Sequence, residues 1–276
     1  SDEGISILAR EITMLEAAPS ASLAQTHDSV PFSTELNLIE VSFRYPDAKE
    51  TTLKNISLTI HKGDFVGLVG RTGAGKSTLA DVLLGLHDLD GGRMVIDKTD
   101  ITTSLDQWRF NTGYVPQDIF IINDTIRRNI AFGLPDDKID DQSIARALKL
   151  AQLDDFVKQQ PHGLDTVLGE RGVKISGGQR QRIGIARALY HDPDVLVFDE
   201  ATSSLDTQTE HELTHAIRSL KGDKTIIVIA HRISTVKDCD QLFFMQDGGV
   251  SASGTYEKLL VESDAFSEIV RLGHDQ

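Results

Sequence analysis

The residues from Gly70 to Ser77 constrain the fold of this 276-residue chain more than any others. They read GRTGAGKS, follow the apolar run Phe65–Val69 and precede a helical pattern of apolar residues. The glycines let the backbone curl so that successive N–H groups point inward, and the helix adds the positive end of its dipole. A strand, such a turn and a helix form the phosphate-binding P-loop unit. The sequence therefore predicts that a nucleotide binds here.

Individual residues of this loop have separate predicted roles. Lys76 supplies a mobile positive charge for the β- and γ-phosphates, in binding and in catalysis. The Ser77 hydroxyl is placed to bind Mg²⁺. The remaining residues expected to contact the phosphates are Gly70, Thr72, Gly73, Ala74, Gly75 and Thr78. A nucleoside triphosphate with Mg²⁺ is thus the expected ligand.

Composition excludes several classes of partner. The formal net charge is −14 and no run rich in Lys and Arg occurs, which argues against nucleic acid and against adhesion to anionic lipid. Cys239 is the single cysteine, so we expect no disulfide and no cysteine zinc site, as in a reducing compartment. No run of eighteen apolar residues occurs, and we therefore expect no membrane span in this chain.

The patterns along the chain alternate between strands and helices after a leading segment. Residues 2–17 have the apolar spacing of an amphipathic helix, and Ala17–Pro31 has the composition of a linker. We expect residues 1–34 to precede a domain over 35–276. Residues 118–190 are nearly free of strand patterns, so they are predicted to form an inserted helical subdomain. The predicted strands are Leu36–Phe43, Leu53–Ile60, Arg93–Asp97, Thr112–Pro116, Val195–Phe198, Thr225–Ala230 and a hairpin over Gln241–Ser253.

Three helices are predicted in the second half of the chain. Ser143–Gln159 and Ser176–Tyr190 repeat apolar residues at helical spacing, and the last helix covers Tyr256–Leu272. Asp124 is the expected N-cap of a further helix within the predicted helical subdomain.

Polar residues follow four apolar strands at their carboxyl ends. Besides the loop after Val69, these residues are Gln117, the pair Asp199-Glu200, and His231. In a parallel sheet the carboxyl ends share one edge, where ligands bind. Asp199 suits a magnesium site, Glu200 is a candidate for polarising water, and His231 can donate a hydrogen bond to a phosphate. Alternatively, the acidic pair caps a helix and His231 is a capping or core residue.

The segment Ile175–Arg182, which reads ISGGQRQR, is close to the LSGGQ signature of ATP-binding cassette (ABC) transporters. Together with the P-loop it makes residues 36–272 resemble the nucleotide-binding domain of that family. The resemblance implies an α/β fold: a P-loop NTPase core with an antiparallel β subdomain and an inserted α-helical subdomain. It also implies that the nucleotide is ATP.

The family motifs assign roles to residues at matching positions. Tyr45 matches the aromatic that stacks on adenine, although by itself it could equally pack on the sheet edge. By the same resemblance, Gln117 contacts magnesium and water, Glu200 is the general base, Asp206 lies on the D-loop that crosses the dimer, and His231 is the switch histidine.

The signature turn, residues 176–179, implies a second copy of the domain. In the family, residues matching Ser176, Gly177, Gly178 and Gln179 contact the γ-phosphate that is bound to another domain's P-loop. The start of a helix is an anion-binding end, which agrees with this role. Every catalytic position holds the expected residue type, so the resemblance implies a head-to-tail homodimer with two competent sites.

Two further segments resemble exporters. Gly169–Gly172 resembles the x-loop that faces the transmembrane domain, and residues 1–34 resemble the joint after the last membrane helix of a fused exporter. These resemblances imply a transmembrane-domain partner and a place at the cytoplasmic face of a membrane. Tyr114–Thr125 resembles exporters that flip lipid-linked glycans, but the sequence leaves open whether the substrate is such a glycan, a lipid, a peptide or a drug.

Other functions fit the sequence less well. Soluble ABC ATPases of DNA repair or translation carry long coiled coils, zinc cysteines or tandem cassettes, and none is found here. A nucleotide sensor that does not hydrolyse would have Glu200 or His231 replaced. A GTPase is disfavoured because the sequence contains no NKxD string.

The general-base assignment predicts the behaviour of Glu200→Gln. The variant should bind nucleotide but lose hydrolysis, because an amide cannot take a proton from water, and it should accumulate as an ATP-bound dimer. Mg-ATPase assays and size-exclusion chromatography with ATP test this. Undiminished turnover would contradict the assignment.

Overall fold

The computed structural model describes residues 30–199, 214–230 and 236–273. Two sheets organise these residues. The strands are β1 (Glu35–Phe43), β2 (Leu53–His61), β3 (Phe65–Gly70), β4 (Gly91–Ile96), β5 (Thr99–Asp100), β6 (Thr112–Val115), β7 (Val195–Asp199), β8 (Thr225–Ile229), β9 (Gln241–Gln246) and β10 (Gly249–Gly254).

The smaller sheet has the order β2-β1-β4-β5, and all its neighbours are antiparallel. The larger sheet has the order β10-β9-β3-β8-β7-β6. In it β9, β3, β8, β7 and β6 run parallel, and β10 pairs with β9 as an antiparallel hairpin. The predicted α/β class with a P-loop core and an antiparallel β unit is confirmed.

The described helices are α1 (Lys76–Leu83), α2 (Leu105–Arg109), α3 (Ile126–Ile130), α4 (Asp141–Leu150), α5 (Asp154–Lys158), α6 (Gly177–Leu189), α7 (Tyr256–Glu262) and α8 (Asp264–Gly273). Residues 214–218 are also helical. Helices α3 to α6 lie within residues 118–190, a stretch in which the structure has no strand. Helix α6 contacts α3 and α4 and also strand β6, so it joins this helical region to the larger sheet.

The core has two layers on opposite faces of the larger sheet. Alternate residues of β7 and β8 enter different clusters, as the period of two in a strand requires. The first cluster, which includes the helical region, takes Leu196, Phe198, Ile226 and Val228. The second, which includes the smaller sheet and α1, takes Val195, Val197, Ile227 and Ile229. Because both faces are covered, these strands are almost continuously apolar.

The structure divides two helices that the sequence predicts as continuous. The predicted helix Ser143–Gln159 consists of α4 and α5, because Gln152 between them has a left-handed backbone with φ 55°. The predicted helix Tyr256–Leu272 consists of α7 and α8. Ser263 between these two is extended, and its Oγ accepts a hydrogen bond from the Phe266 backbone N–H at 3.2 Å.

The predicted cap of α3 is wrong by one residue. Thr125, not Asp124, is the N-cap, since its Oγ1 accepts a hydrogen bond from the Arg128 backbone N–H at 3.2 Å. The Asp124 carboxylate instead accepts from the Thr125 backbone N–H at 2.7 Å and from the Arg128 guanidinium at 3.3 Å. Asp124 therefore stabilises the turn before the helix rather than the helix end itself.

The residues before β1 are fastened to the folded core. The Asp97 carboxylate accepts hydrogen bonds from the backbone N–H groups of Ser33 and Glu35 and from both the N–H and the hydroxyl of Thr34, at 2.7–3.0 Å. Burial alone would raise its pKa, but the hydrogen bonds from Thr34, Glu35 and Ser33 lower the pKa of Asp97 to about 2 from an ordinary 3.8. Phe32 is buried edge-on against Trp108. Packed structure thus begins before β1.

We expect Asp97→Asn to lower the free energy of unfolding by about 1 kcal/mol near neutral pH, because an amide accepts fewer and weaker hydrogen bonds than a carboxylate. The folded-state pKa lies below the unfolded one, so this stabilisation is complete above about pH 4 and is lost as the pH falls toward 2. Urea unfolding followed by the fluorescence of the sole tryptophan, Trp108, measures it.

The matched control is Asp137→Asn, which removes an exposed carboxylate from a short helical turn. The difference between the native chain and Asp97→Asn should shrink between about pH 4 and pH 2, while the control should match the native chain throughout. Equal losses in the two variants would contradict the anchoring role of Asp97.

Candidate nucleotide-binding site

The loop between β3 and α1 has a backbone that only glycine accommodates. Gly73 and Gly75 have φ of 82° and 99°, and a Cβ at Gly70 would lie 2.4 Å from the Met245 carbonyl oxygen. Gly75 is the N-cap of α1, and no side chain caps the helix. The first N–H groups of α1 are therefore left to bind an anion at the positive end of the helix dipole.

A cavity of about 330 Å³ opens at this loop. Lys76 is 5% exposed, and its Nζ donates to the carbonyl oxygens of Gly70 at 2.9 Å and Arg71 at 3.2 Å. The ammonium is thus held at the loop by groups that a phosphate can replace. The residues lining the cavity are Thr52, Thr72, Gly73, Gly75, Lys76, Ser77 and Thr78.

The carboxyl ends of the parallel strands meet beside the loop. Asp199 is the last residue of β7, and its carboxylate accepts a hydrogen bond from the Tyr114 hydroxyl in β6 at 3.2 Å. Burial, then the negative charge of Asp199, raises the pKa of Tyr114 to about 12. Gln117 follows β6, and its backbone carbonyl accepts from the Gln181 side chain of α6 at 2.8 Å. The structure thus brings the loop, Asp199 and Gln117 to one edge.

The oxygens near the loop fit a magnesium ion. Ser77 is exposed in the cavity and Asp199 is half-buried, so a hydroxyl and a carboxylate, both hard ligands, are available. The pKa of Asp81 in α1 is raised above its ordinary value, mainly by burial. His87 opposes this shift, and the negative charge of Asp199 adds to it. Within the described residues no cluster of three His, Cys, Asp or Glu side chains could hold a metal. An ion bound by few side chains plus phosphate and water, as Mg²⁺ is, suits this arrangement.

Tyr45 lies between β1 and β2, close to α1. Its ring packs edge-on against Phe43, with centroids 4.9 Å apart, and against His87, at 5.4 Å. Its hydroxyl is 3.2 Å from Thr78 Oγ1, and Thr78 lines the cavity. The residue is 37% exposed, so an aromatic surface remains at the cavity rim that a base could cover.

The signature turn forms the start of α6. Ser176 is the N-cap: its Oγ accepts from the Gln179 backbone N–H at 3.2 Å, and Gln179 Oε1 accepts from the Ser176 N–H at 2.9 Å. Ser176 and Gly177 are exposed, and Gly178 is buried. None of Ser176 to Gln179 lines the cavity at the loop in the described part of the chain. The predicted phosphate contacts thus divide between two separate surfaces of one chain.

Three predicted site residues, Glu200, Asp206 and His231, lie outside the described residues. Their roles stay predictions. The structure adds residues that the sequence reasoning missed, namely Thr52 at the cavity, Tyr114 beside Asp199, and the pair Asp81 and His87 next to Tyr45. Neither Tyr114 nor Thr52 carried a sequence signal, because tyrosine is common in strands such as β6 and Thr52 lies in no motif.

The helical region presents a second surface. Residues 170–172 form a single helical turn between Gly169 and Val173, and Val173 is 78% exposed. A cavity of about 510 Å³ lies nearby on the loop after Gln117, and Phe120 at its wall is 62% exposed. The residues lining it are Asp118, Ile119, Phe120, Ile121 and Arg180. Among the helices of the described ranges, none has the length and apolarity to cross a membrane.

Comparisons with known proteins identify the family. A family model described as ABC transporter matches residues 53–203. The ATP-dependent lipid A-core flippase of Vibrio vulnificus (strain YJ016) is 41% identical over 86% of this chain and 41% of the relative. That of Coxiella burnetii (strain RSA 493 / Nine Mile phase I) is 43% identical over 84% of this chain and 39% of the relative. The chain therefore spans less than half the length of these relatives.

A solved structure gives the same result for the fold. It is a bacterial Atm1-family ABC exporter with ATP bound, which superposes with a TM-score of 0.80 at 34% identity, covering 98% of this chain and 47% of the exporter. This chain accordingly belongs to the ABC transporter family and has the fold of that family's ATPase domain.

Proposed function

We propose that this chain hydrolyses ATP in a head-to-tail dimer of two cassettes, and that hydrolysis powers export or flipping by a transmembrane domain. One observation carries the proposal. Among the described residues, none of the signature turn lines the P-loop cavity, while Ser176 and Gly177 of that turn are exposed at the start of a helix. A second copy can bring the two surfaces together, because in a twofold dimer each chain gives its partner what it receives.

Binding of ATP follows from the loop geometry. The N–H groups at the start of α1 and the Lys76 ammonium neutralise the phosphate chain, and Tyr45 stacks on the base. Ser77 and Asp199 would hold Mg²⁺, which would supply positive charge that offsets the charge of the phosphate chain. The Tyr114 hydroxyl, with its pKa raised to about 12, stays protonated and donates a hydrogen bond to Asp199.

Hydrolysis requires a base, and Glu200 follows Asp199 directly. Glu200 accepts a proton from water as the water oxygen attacks the γ-phosphorus and ADP leaves. His231 and Lys76 stabilise the charge that develops on the γ-phosphate, and Gln117 orients the water and the ion. Across the dimer, Ser176 and the N–H groups of Gly177 and Gly178 contact the same phosphate from the partner, and Asp206 lies at the joint between the chains.

Exposed apolar residues on the helical region and the named relatives both support a transmembrane-domain partner. Phe120 and Val173 are large, exposed apolar residues near the loop after Gln117. A transmembrane domain that packs on them would respond to nucleotide-dependent movement of that loop. The relatives named lipid A-core flippases favour an amphiphilic lipid among the substrates that the sequence leaves open. The chain would then work at the cytoplasmic face of the membrane. The relatives do not favour a soluble ATPase of DNA repair or translation.

The composite site predicts that two inactive variants restore each other. Lys76→Ala removes the P-loop charge but keeps the signature, and Ser176→Arg does the reverse. A mixed dimer has one site with both defects and one with neither. An equimolar mixture should therefore regain about a quarter of the native ATPase rate per chain, since half of the dimers are mixed and each has one intact site.

The measurement is the Mg-ATPase rate of each variant and of the mixture at equal total protein. Ser104→Arg, which changes an N-cap on α2 away from the cavity, serves as the control and should keep native activity. A mixture that stays inactive although Ser176→Arg binds nucleotide would overturn the composite site.

A further inference from the structure

His87 packs against the aromatic residues beside the proposed base-binding site. It follows the end of α1, and its ring stacks on Phe43 with centroids 4.5 Å apart and planes 18° from parallel. Tyr45 meets both rings edge-on, at 86° to His87 and 81° to Phe43. Phe43 is buried in the core, while Tyr45 reaches the surface. The stacked pair of His87 and Phe43 thus forms a wall for the Tyr45 ring.

Polar contacts join this aromatic group to the P-loop helix. His87 Nε2 lies 3.8 Å from Asp81 Oδ2, and Asp81 is in the second turn of α1. The Tyr45 hydroxyl meets Thr78 Oγ1 in the first turn at 3.2 Å. The Leu86 backbone N–H also donates to the Asp81 carbonyl oxygen at 2.9 Å, which fixes the turn that carries His87. The residues proposed to bind the base therefore contact α1, the helix whose start forms the phosphate site.

We propose that His87 is a positioning residue for the nucleotide base, acting through Tyr45; the proposal rests on the function given above, in which Tyr45 stacks on the base. With its plane nearly perpendicular to the His87 ring and its hydroxyl at Thr78, the Tyr45 ring is held in one orientation before nucleotide arrives. Binding then costs less side-chain entropy than it would with a freely rotating tyrosine. His87 has no part in holding the phosphates.

This division of roles makes the proposal testable with two ligands. Mg-ATP uses both the base site and the phosphate site, whereas inorganic tripolyphosphate with Mg²⁺ uses the phosphate site alone. His87→Ala should weaken ATP binding about threefold to tenfold, the range expected for loss of an aromatic edge contact, and leave tripolyphosphate binding unchanged. Isothermal titration calorimetry on the 276-residue chain measures both.

Two companion variants separate ring packing from other causes. His87→Phe keeps an aromatic ring on Phe43 and Tyr45 but removes the polar contact with Asp81, so it should restore most of the affinity for ATP. His191→Ala is the control, because His191 also lies edge-on to a tyrosine, Tyr190, at 4.8 Å, but it is exposed and lies before β7, away from the cavity. It should bind ATP like the native chain.

A double-mutant cycle tests whether His87 acts through Tyr45. Tyr45→Ala should itself weaken ATP binding, and adding His87→Ala to it should cause no further loss, since the ring that His87 holds is gone. An additive loss would mean that His87 acts elsewhere, and the proposal would be wrong.

The remaining outcomes are also decisive. The proposal is overturned if His87→Ala binds ATP as the native chain does, if it weakens tripolyphosphate equally, or if His87→Phe is as weak as His87→Ala. If Tyr45→Ala binds ATP normally, Tyr45 does not stack on the nucleotide base, and that part of the proposed function is wrong. If Tyr45→Ala is weak and His87→Ala is not, only the role of His87 fails. The fluorescence of buried Trp108 verifies the fold of each variant.

Discussion

The structure depends on one backbone turn, where β3 ends and α1 begins. Gly70 passes so close to the Met245 carbonyl that a side chain cannot fit, and Gly75 starts the helix with a left-handed backbone. These constraints place the N–H groups at the start of α1 and the Lys76 ammonium at the cavity. The buried parallel sheet then fixes everything else relative to this turn, because the ends of β6 and β7 place Gln117 and Asp199 at the same edge.

A turn built in this way suits a phosphate chain, and among the described residues none of the signature turn lines its cavity. The donors that could close it are at the start of α6, on the helical region, and the described chain does not bring them to its own cavity. In the proposed motor this separation has a purpose, because closure of the site then needs two chains and opening follows loss of the γ-phosphate. A monomer with a complete site would not need to associate with a second chain in order to hydrolyse ATP.

Much of this could be predicted from the sequence where local pattern and tertiary structure agree. The P-loop, the sheet edge and the start of α6 near Ser176 belong to that group, since glycines, apolar strands and helix starts act over a few residues. Breaks at Gln152 and Ser263 were missed because the apolar spacing continues across them. The contact of His87 with Tyr45 joins residues 42 positions apart, and only the fold reveals it. The short α2 and β5 have too few residues to show a period.

The proposed site takes its P-loop from one chain and its signature turn from another, so that hydrolysis requires two chains. The most direct test is the Mg-ATPase rate per mole of the 276-residue chain, measured over a wide range of protein concentration. We expect a specific rate that rises with concentration and levels off as dimers saturate, because activity requires association. A specific rate independent of concentration, measured on protein that remains monomeric with ATP, would show that each chain hydrolyses alone and would rule out the composite site.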